Sequence, residues 1–430
     1  MKKQTNVFKF GGASIKDVDG IKNVAGILAS RQEERIVIVI SASGKTTNHL
    51  EDVMNAYFNK QADVREKIEV VRRHHFGLID GLFEPGDEVY ALVNDLFVEI
   101  DWIVEEEPKH DYDYIYDQMV SVGELLSTRI VASYLNKIGI PTAWVDARDI
   151  IRTDATYRES QILWEDTERL VETTLTPLLD AGKFVITQGF IGSTDDNQTT
   201  TLGREGSDFT AAILSYCLDA VKMIIWKDVE GVLTADPRLF KNVQKLSRLS
   251  YKEAIEMTYY GASVIHPKTI KPLQNKNIPL YVQSFIDPTI EGTYIGPDVD
   301  DHYPPIVVLE RNQTLLHIAT RDFSFVVEHH MAYLFKTFAE LRIFINMMRN
   351  TAISFTVCVP DLPEKIEKLK AILDKEYSVT VENDMELITI RHYQEEVLKS
   401  LTKGKIVLLE ERLRNTVQMV VKNIPLIERI

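Results

Sequence analysis

Short apolar runs alternate with longer segments of helical periodicity over residues 1–295, and this alternation constrains the fold more than any other feature. The runs lie at residues 7–10, 36–40, 142–145, 184–187, 223–226 and 278–282. Unbroken apolar strands separated by helices are typical of a mostly parallel sheet that is covered on both faces. The pattern therefore predicts an α/β three-layer sandwich with a mostly parallel central sheet, in a domain of residues 1–300.

Glycines and polar residues follow the ends of four of these runs. The segments in question are Gly11-Gly12, residues 41–48, Gly189 and Lys227-Asp228. Parallel α/β sheets bind ligands beyond the carboxyl ends of their strands. We therefore expect these segments to contribute to a ligand site.

The segment 188–208 carries the strongest local signal for an anionic ligand. It combines a strand, a glycine-rich turn and a helical N-terminus, and backbone N–H groups in such a combination bind anions. Arg204 adds a guanidinium fork that suits a carboxylate or a phosphate. Asp208 lies where a carboxylate can cap the helix or face a reacting group. The segment therefore predicts a site for a small anion.

Lys9 is unusual because it stands inside an apolar strand, immediately before two glycines. It could be a sheet-edge lysine that extends its amine to solvent, or a cation that faces a phosphate. Gly44-Lys45-Thr46 resembles the end of a P-loop, but Val39 stands where that motif requires glycine. Glu124 opens a helical segment, where a carboxylate is favourable for the helix dipole alone. The same carboxylate could accept a substrate ammonium group.

Composition excludes several classes of protein. The 430 residues carry a net charge of −15, which argues against nucleic acid as a main partner. No apolar run approaches the ~18 residues of a membrane span, and no signal peptide is recognisable. Cys217 and Cys358 are expected to be reduced core residues, so we predict a cytoplasmic protein. The pairs His74-His75 and His329-His330 lack the spacing of a metal site and are interpreted as surface or packing residues.

Beyond residue 300 the pattern changes to that of small α+β units. Residues 295–305 are rich in proline, glycine and aspartate and are predicted to be a linker. A ferredoxin-like βαββαβ order follows, with elements at 314–318, 331–340, 342–348, 352–359, 362–376 and 379–382. A second set has elements at 385–390, 394–401, 405–409 and 416–422. The tail 423–430 leaves no room for a final helix and strand, so this second unit is predicted to be truncated.

Five segments in this order resemble the aspartokinases, which have the amino-acid-kinase fold, along essentially the whole chain. They are residues 9–14, 41–48, 122–127, 188–208 and 226–238, with support from 260–267 and 310–314. The resemblance implies transfer of the γ-phosphoryl group of ATP to the side-chain carboxylate of L-aspartate, giving 4-phospho-L-aspartate. This is the first step of lysine, threonine and methionine biosynthesis. Mg²⁺ would be held mainly by the ATP phosphates, because the sequence shows no carboxylate cluster for a protein metal site.

The resemblance also implies roles by position. The implied catalytic residues are Lys9 and Asp208. The implied substrate-binding residues are Ser43, Thr47, Glu124, Arg204, Gly206 and Ser207. The implied ATP-binding residues are Lys9, Phe10, Gly11, Gly12, Lys227, Asp228, Leu233, Arg238 and Ser263. Arg204 would bind a carboxylate of aspartate, and Glu124 would lie near its ammonium group.

The C-terminal region 306–430 resembles the tandem ACT domains that regulate aspartokinases. The first ACT unit would span about 314–384. The second would comprise about 306–313 together with a shortened 385–430. ACT pairs associate through their sheets, which implies a homodimer or a larger homo-oligomer.

Several positions depart from the family pattern. Lys227 stands where threonine is usual and Ser263 where lysine is frequent, so we hypothesise that Lys227 supplies the missing positive charge near the nucleotide phosphates. Glu205 replaces a common glycine. His329 and Thr351-Ala352 stand where lysine-inhibited relatives help to hold the effector. We therefore predict weak or absent inhibition by lysine and threonine.

Two other functions stay open from the sequence. One is another amino-acid kinase, acting on glutamate, acetylglutamate or carbamate; the loop 200–204 and the ACT-like pair argue against it. The other is a ligand sensor of the same fold without activity, which the changes at Lys227 and Ser263 keep open.

Overall fold

The computed structural model describes residues 4–262, 265–297, 299, 302–322 and 324–424. The chain divides into two compact units. Unit 1 comprises Met1–Val232, Lys245–Ile255 and Val264–Asp300, and unit 2 comprises Leu233–Gln244, Glu256–Ser263 and Asp301–Ile430. The segments 233–244 and 256–263, which precede the predicted linker in sequence, are thus grouped with unit 2.

Strands and helices alternate before residue 300 as expected, but not strictly: for example, five helices follow one another between residues 46 and 137 and three strands between residues 184 and 201. The strands are β1 Thr5–Phe10, β2 Arg35–Ile40, β3 Thr142–Trp144, β4 Phe184–Gln188, β5 Ile191–Ser193, β6 Thr199–Thr201, β7 Lys222–Lys227, β8 Arg248–Ser250, β9 Leu280–Ser284 and β10 Thr293–Gly296. The helices are α1 Val18–Ala29, α2 Thr46–Phe58, α3 Val64–Asp80, α4 Val89–Glu105, α5 Tyr112–Val120, α6 Val122–Lys137, α7 Ala147–Ile150, α8 Trp164–Asp180, α9 Gly206–Cys217, α10 Tyr251–Tyr259 and α11 Pro267–Asn275. A short 3₁₀ helix, Gly12–Ile15, follows β1.

Unit 1 is built on an eight-stranded sheet of order β3-β4-β2-β1-β7-β9-β10-β8. Its neighbouring strands run parallel except for the antiparallel pair β9–β10. Phe10, the last residue of β1, pairs with Ile40 on one side and Trp226 on the other. Since β4, β2, β1 and β7 are adjacent and parallel, the segments that follow them leave the same edge of the sheet.

The sheet is buried on both faces, as its apolar strands predict. Phe8, Ile38 and Ile186 belong to one hydrophobic core with residues of α1 to α6. Val37 and Val39 alternate with Ile38 along β2, so they point to the opposite face, and α9 contacts β1, β2 and β7. The predicted α/β sandwich with a mostly parallel sheet is therefore confirmed.

The hairpin of β5 and β6 was not predicted, because its sequence reads as a polar loop. The buried carboxylate of Asp117 accepts hydrogen bonds from the Thr201 backbone N–H (2.8 Å) and hydroxyl (2.7 Å). It also accepts a hydrogen bond from the backbone N–H of Arg158 at 3.0 Å. A polar loop thus becomes buried β structure through a carboxylate 84 residues away in sequence.

Unit 2 contains a six-stranded antiparallel sheet of order β12-β13-β11-β14-β16-β15. Its strands are β11 Ile306–Thr320, β12 Met347–Asn350, β13 Ser354–Pro360, β14 Tyr377–Arg391, β15 Lys405–Arg412 and β16 Thr416–Asn423. Its helices after residue 306 are α12 Glu328–Glu340, α13 Pro363–Leu373 and α14 Glu395–Thr402. An antiparallel sheet with these helices agrees with the predicted ACT-like α+β architecture.

Several predicted element boundaries in unit 2 are wrong. The elements predicted at 379–382 and 385–390 form one fifteen-residue strand, β14, which continues through Asp384 at a φ of 63°. Its partner β11 is also continuous and has a register irregularity near Asn312, whose φ is 55°. The strand predicted from residue 342 begins only at Met347. Polar residues signalled a break in sequence, but pairing between two long strands carries the backbone through it.

Parts of the predicted linker and tail lie outside the described residues. Residues 295–296 end strand β10, whereas Asp298, Asp300, Asp301 and residues 425–430 are not described. In the described part of the chain, every helix is too short or too polar to cross a bilayer.

Candidate active site

An ion pair joins β1 to the helix that begins after the turn 202–205. Lys9 is the penultimate residue of β1, and Asp208 lies in the first turn of α9. Lys9 Nζ is 2.6 Å from Asp208 Oδ1, and the two side chains are 12% and 6% exposed. Burial opposes ionisation of Asp208, but the charges of Lys9 and Lys227 hold the pKa of its carboxyl below the usual value. The Asp208 carboxyl is therefore ionised near neutral pH.

Of the two glycines after β1, Gly12 lies where a side chain does not fit. A Cβ on Gly12 would be 2.5 Å from the carbonyl oxygen of Ala42. The Gly12 carbonyl in turn accepts a hydrogen bond from the Gly44 N–H at 3.0 Å. A Cβ on Gly11 would be 3.5 Å from Lys9 Nζ. The loops after β1 and β2 are thus in direct contact, and the amine of Lys9 lies beside the diglycine turn.

Phe10 differs from its implied role in one respect. Its side chain is fully buried and stacks on Trp226 with ring centroids 5.7 Å apart. Only its backbone can therefore contribute to binding a nucleotide.

Ser43 and His74 connect three segments at this edge. The Ser43 hydroxyl donates to the Ile15 carbonyl (2.8 Å) and lies 2.9 Å from His74 Nε2. Because the single hydroxyl proton goes to Ile15, His74 Nε2 must be the donor in the second contact. Sequence reasoning missed this role of His74, since nothing local links it to a loop 31 residues away. Thr47 is half-buried in the first turn of α2.

Glu124 is a buried carboxyl with one unsatisfied oxygen. Its side chain lies in the first turn of α6, and the residue is 3% exposed. Burial raises its pKa to about 8, although the backbone N–H of Ala42 favours the ionised form. Its Oε2 has no hydrogen-bond partner among the described residues. A Cβ on Gly123 would lie 3.1 Å from Ala42 Cβ, so α6 packs closely on the loop after β2.

The turn 202–208 packs against the end of β4. A Cβ on Gly189 would be 2.4 Å from Ser207 Cβ, and a Cβ on Gly206 would be 2.6 Å from Phe190 Cδ2. Ser207 and Asp208 are nearly buried, whereas Arg204 is exposed. Arg204 makes no ion pair with any residue that the structure describes.

The remaining implied nucleotide residues divide between the units. Lys227 ends β7 in unit 1, half-buried, and Asp228 is exposed. Leu233 and Arg238 belong to unit 2, where the Arg238 side chain is 87% exposed and pairs with Asp236 at 2.7 Å. Ser263 lies outside the described residues.

Contacts in unit 1 connect part of the implied set. Lys9 pairs with Asp208 and lies beside Gly11, Gly12 contacts the loop after β2, α6 with Glu124 packs on the same loop, and Ser207 packs against Gly189. The described residues contain no group of three or more His, Cys, Asp or Glu side chains arranged for a metal ion. The positive charges of Lys9 and Lys227, which both act on Asp208, suit an anion, and the buried Glu124 carboxyl suits an ammonium group.

Comparisons with known proteins show the family to which the chain is similar. The amino acid kinase family model matches residues 4–284. The chain is 35% identical to the lysine-sensitive aspartokinase 3 of Escherichia coli K12 over 316 residues, which are 72% of this chain and 68% of that protein. It is 32% identical to the chloroplastic aspartokinase 1 of Arabidopsis thaliana over 82% of this chain and 63% of that protein.

Solved structures show the same architecture. The crystal structure of E. coli aspartokinase III in complex with aspartate and ADP has a TM-score of 0.83 and 27% sequence identity, covering 97% of this chain and 96% of that one. The same enzyme in complex with lysine and aspartate has a TM-score of 0.82 and 28% identity, with the same coverage.

Proposed function

This chain belongs to the amino acid kinase family as an aspartokinase, and from that premise we propose that ATP phosphorylates L-aspartate at the sheet edge of unit 1. An aspartokinase is an ATP-dependent kinase that acts on aspartate. The observation that carries the assignment of residues is the charged Lys9–Asp208 pair beside the diglycine turn.

The proposed chemistry is a direct phosphoryl transfer. A side-chain carboxylate oxygen of aspartate attacks the γ-phosphorus of ATP, the bond to the β–γ bridging oxygen breaks, and ADP leaves. Such transfers depend on positioning and electrostatic stabilisation more than on a covalent protein intermediate. Lys9 places its charge on the transferring group, and Asp208 orients the lysine through their ion pair.

The phosphates would lie against the diglycine turn. Gly12 leaves no space for a side chain, and successive backbone N–H groups in such turns bind anions. Lys227 adds a second positive charge whose field already reaches Asp208. The ATP phosphates would coordinate Mg²⁺, because the described residues contain no carboxylate cluster that could bind it.

Aspartate would be held by charges of both signs. The exposed guanidinium of Arg204 suits a carboxylate, and the buried Glu124 carboxyl with its unsatisfied oxygen suits the ammonium group. Ser207, at the start of α9, would add a hydroxyl and a backbone N–H beside the acceptor carboxylate. Thr47 and Ser43 lie at the facing loop, although the Ser43 proton is already donated to Ile15.

A coupled ADP-release assay tests the function. With purified protein, Mg-ATP and millimolar aspartate, glutamate or acetylglutamate, we expect release with aspartate at least ~100-fold faster than with the others. The longer side chain of glutamate would misplace the acceptor carboxylate, and acetylglutamate has no ammonium group to meet Glu124. The variant Lys9→Met should lose most of this activity, while Lys22→Met, an exposed lysine of α1, should retain it. Equal rates with glutamate, or no activity with any acceptor, would contradict the proposal.

We also propose that unit 2 regulates the enzyme and mediates its association. Two observations support this role: unit 2 has the α+β form of tandem ACT units, and β12 and β15 stand at the edges of its sheet. The product 4-phospho-L-aspartate would then enter lysine, threonine and methionine biosynthesis, and the chain would act as a homodimer or larger homo-oligomer. Light scattering at micromolar concentration tests the assembly, and a monomeric mass contradicts it.

A further inference from the structure

Glu205 occupies a backbone conformation that disfavours most side chains. It is the residue that precedes α9, and its φ and ψ are 54° and 27°. L-residues rarely adopt this left-handed region, and glycine adopts it freely. The glycine that is common at this place in the family therefore has a physical explanation. A glutamate there costs free energy that some contact must offset.

The carboxylate of Glu205 makes such a contact. Its Oε2 accepts a hydrogen bond from the backbone N–H of His266 at 2.9 Å. His266 is the N-cap residue of α11, where its backbone N–H has no place in the helix ladder. Both residues belong to unit 1.

A second hydrogen bond joins the same two segments. The ammonium group of Lys268, in the first turn of α11, donates to the carbonyl of Leu202 at 2.7 Å. Lys268 also lies 5.7 Å from the ring centroid of Phe209. The turn 202–205 is thus attached to the start of α11 at both of its ends.

Charges of both signs meet at this junction. The negative charges of Glu159 and Glu205 act on Lys268, and His266 is subject to the positive charges of Lys268 and Arg204 and to the negative charge of Glu205. The carboxylate of Glu205 is therefore bound by the start of α11. Its negative charge is offset there and does not stand uncompensated beside a site for a dicarboxylate.

We propose that Glu205 is a positioning residue that holds the aspartate-binding turn by anchoring it to the N-terminus of α11. The inference rests on the proposed function, because Arg204 and Ser207 on either side of Glu205 are the groups assigned to aspartate. Asp208 is held separately by its ion pair with Lys9. Loss of the anchor should therefore weaken aspartate binding more than ATP binding.

Three substitutions separate the carboxylate from the backbone strain. Glu205→Ala removes the acceptor and keeps the strain, Glu205→Gly removes both, and Glu205→Gln keeps both. We expect the KM for aspartate to rise ~10-fold in the alanine and glycine variants, as for loss of one hydrogen bond to a charged group. The glutamine variant should stay within ~3-fold because its amide oxygen still accepts from His266. The KM for ATP should change less than ~2-fold in all three.

Thermal unfolding should follow a different order. Glu205→Gly should unfold at a higher temperature than Glu205→Ala, because glycine adopts a positive φ without strain. Asn277→Ala is the matched control: Asn277 is exposed, follows α11 and has a φ of 52°. It should lower the unfolding temperature and leave the KM for aspartate unchanged.

The outcomes are distinct from failure of the proposed function. If the wild-type chain is active but Glu205→Ala keeps the wild-type KM for aspartate, or if Glu205→Gly restores it, the anchor has no role. If the wild-type chain itself releases no ADP with aspartate, the proposed function is wrong. In that case, amide hydrogen exchange of residues 202–209 tests whether Glu205 holds the turn in place. Exchange there should be faster in Glu205→Ala than in Glu205→Gln, and equal exchange would overturn the proposal.

Discussion

Two buried carboxyl groups of the site have opposite electrostatic environments. Asp208 faces Lys9 and the field of Lys227, so the pKa of its carboxyl lies below the usual value despite burial. Burial raises the pKa of Glu124 to about 8, because the described residues place no cation where it would offset the burial. Environments that separate two carboxyl groups in this way assign them different tasks. Asp208 is a permanent anion, and Glu124 is a group whose charge depends on what binds.

Aspartate binding should therefore depend on pH through Glu124. Below pH 8 the free carboxyl is protonated, and binding an ammonium group requires its ionisation. We expect affinity for aspartate to rise by up to ~10-fold per pH unit between pH 6 and 8, with release of one proton on binding. Isothermal titration calorimetry in buffers of different ionisation enthalpy measures the number of protons released on aspartate binding.

The variant Glu124→Gln should bind aspartate more weakly and release no proton. Glu88→Gln, an exposed glutamate, is the control and should behave as wild type. Equal proton release by wild type and Glu124→Gln would show that another group titrates.

The raised pKa of Glu124 also makes the stability of the ligand-free protein depend on pH. The folded pKa of Glu124 lies above the ordinary value of 4.5, so the folded state binds more protons than the unfolded state between those values. Stability should fall as pH rises through this window. Glu124→Gln should remove that part of the pH dependence, which denaturation with urea at pH 5 and pH 8 can measure.

Lys227 provides a second test at single-residue scale. If it supplies positive charge to the nucleotide phosphates, Lys227→Ala should raise the KM for ATP and lower kcat, together by ~10-fold or more. Lys222→Ala, at the other end of the same strand, is the matched control. Unchanged kinetics in Lys227→Ala would refute the hypothesis that this lysine replaces the family's cation.

At the scale of elements, the site depends on loops that touch without room for a β-carbon. Gly12 meets the Ala42 carbonyl and Gly189 meets Ser207, so the loops after β1, β2 and β4 and the start of α9 form one packed assembly. Overpacking such contacts typically costs ~1–3 kcal/mol. These contacts fix the positions of the loops relative to one another.

Gly189→Ala should therefore displace Ser207 and the start of α9. We expect the free energy of unfolding to fall by ~1–3 kcal/mol and the KM for aspartate to rise several-fold. Gly26→Ala in α1 is the control, because a Cβ there meets nothing within 4 Å; it should stabilise the protein by ~0.5–1 kcal/mol. A Gly189→Ala protein with wild-type stability and KM would show that the contact with Ser207 relaxes at no cost.

The boundaries of helices and strands were harder to predict from sequence patterns in unit 2 than in unit 1. The parallel strands of unit 1 were predictable because each is an unbroken run of buried apolar residues, such as Ile36 to Ile40. In unit 2, separate elements were predicted to end at residue 382 and to begin at residues 314 and 385, yet Asn312 and Asp384 lie within long paired strands. Their left-handed backbone is accommodated by neighbouring strands, and such pairing is invisible in a local sequence window.

At the scale of the whole molecule, similarity to known aspartokinases does not establish how this chain is regulated. The chain resembles an E. coli enzyme named for its lysine sensitivity, but two effector positions differ. His329 lies in the first turn of α12, and Thr351 is tied to Ser354 by hydroxyl contact at 2.6 Å and a backbone hydrogen bond at 2.8 Å. The Thr351 hydroxyl is therefore engaged in a local turn with Ser354.

We therefore expect ~2-fold or smaller loss of activity in 5 mM lysine, threonine or both, as for a site without matched partners. The E. coli lysine-sensitive enzyme, assayed in parallel, is the positive control. Inhibition of this chain to a similar extent would overturn the prediction and show that unit 2 binds the effector through other residues.

The sequence by itself determined the fold class and the order of the site segments, because apolar runs, glycines and charged residues act through local propensity and burial. It also identified Lys9 as unusual, and Glu124 and Asp208 as candidate site residues. Only the tertiary structure decided which of these groups meet: the 2.6 Å ion pair, the unsatisfied oxygen of Glu124 and the anchoring of Glu205 to His266. Each depends on contacts between residues 61 to 199 positions apart, or on burial by distant segments, and such distances are set by packing.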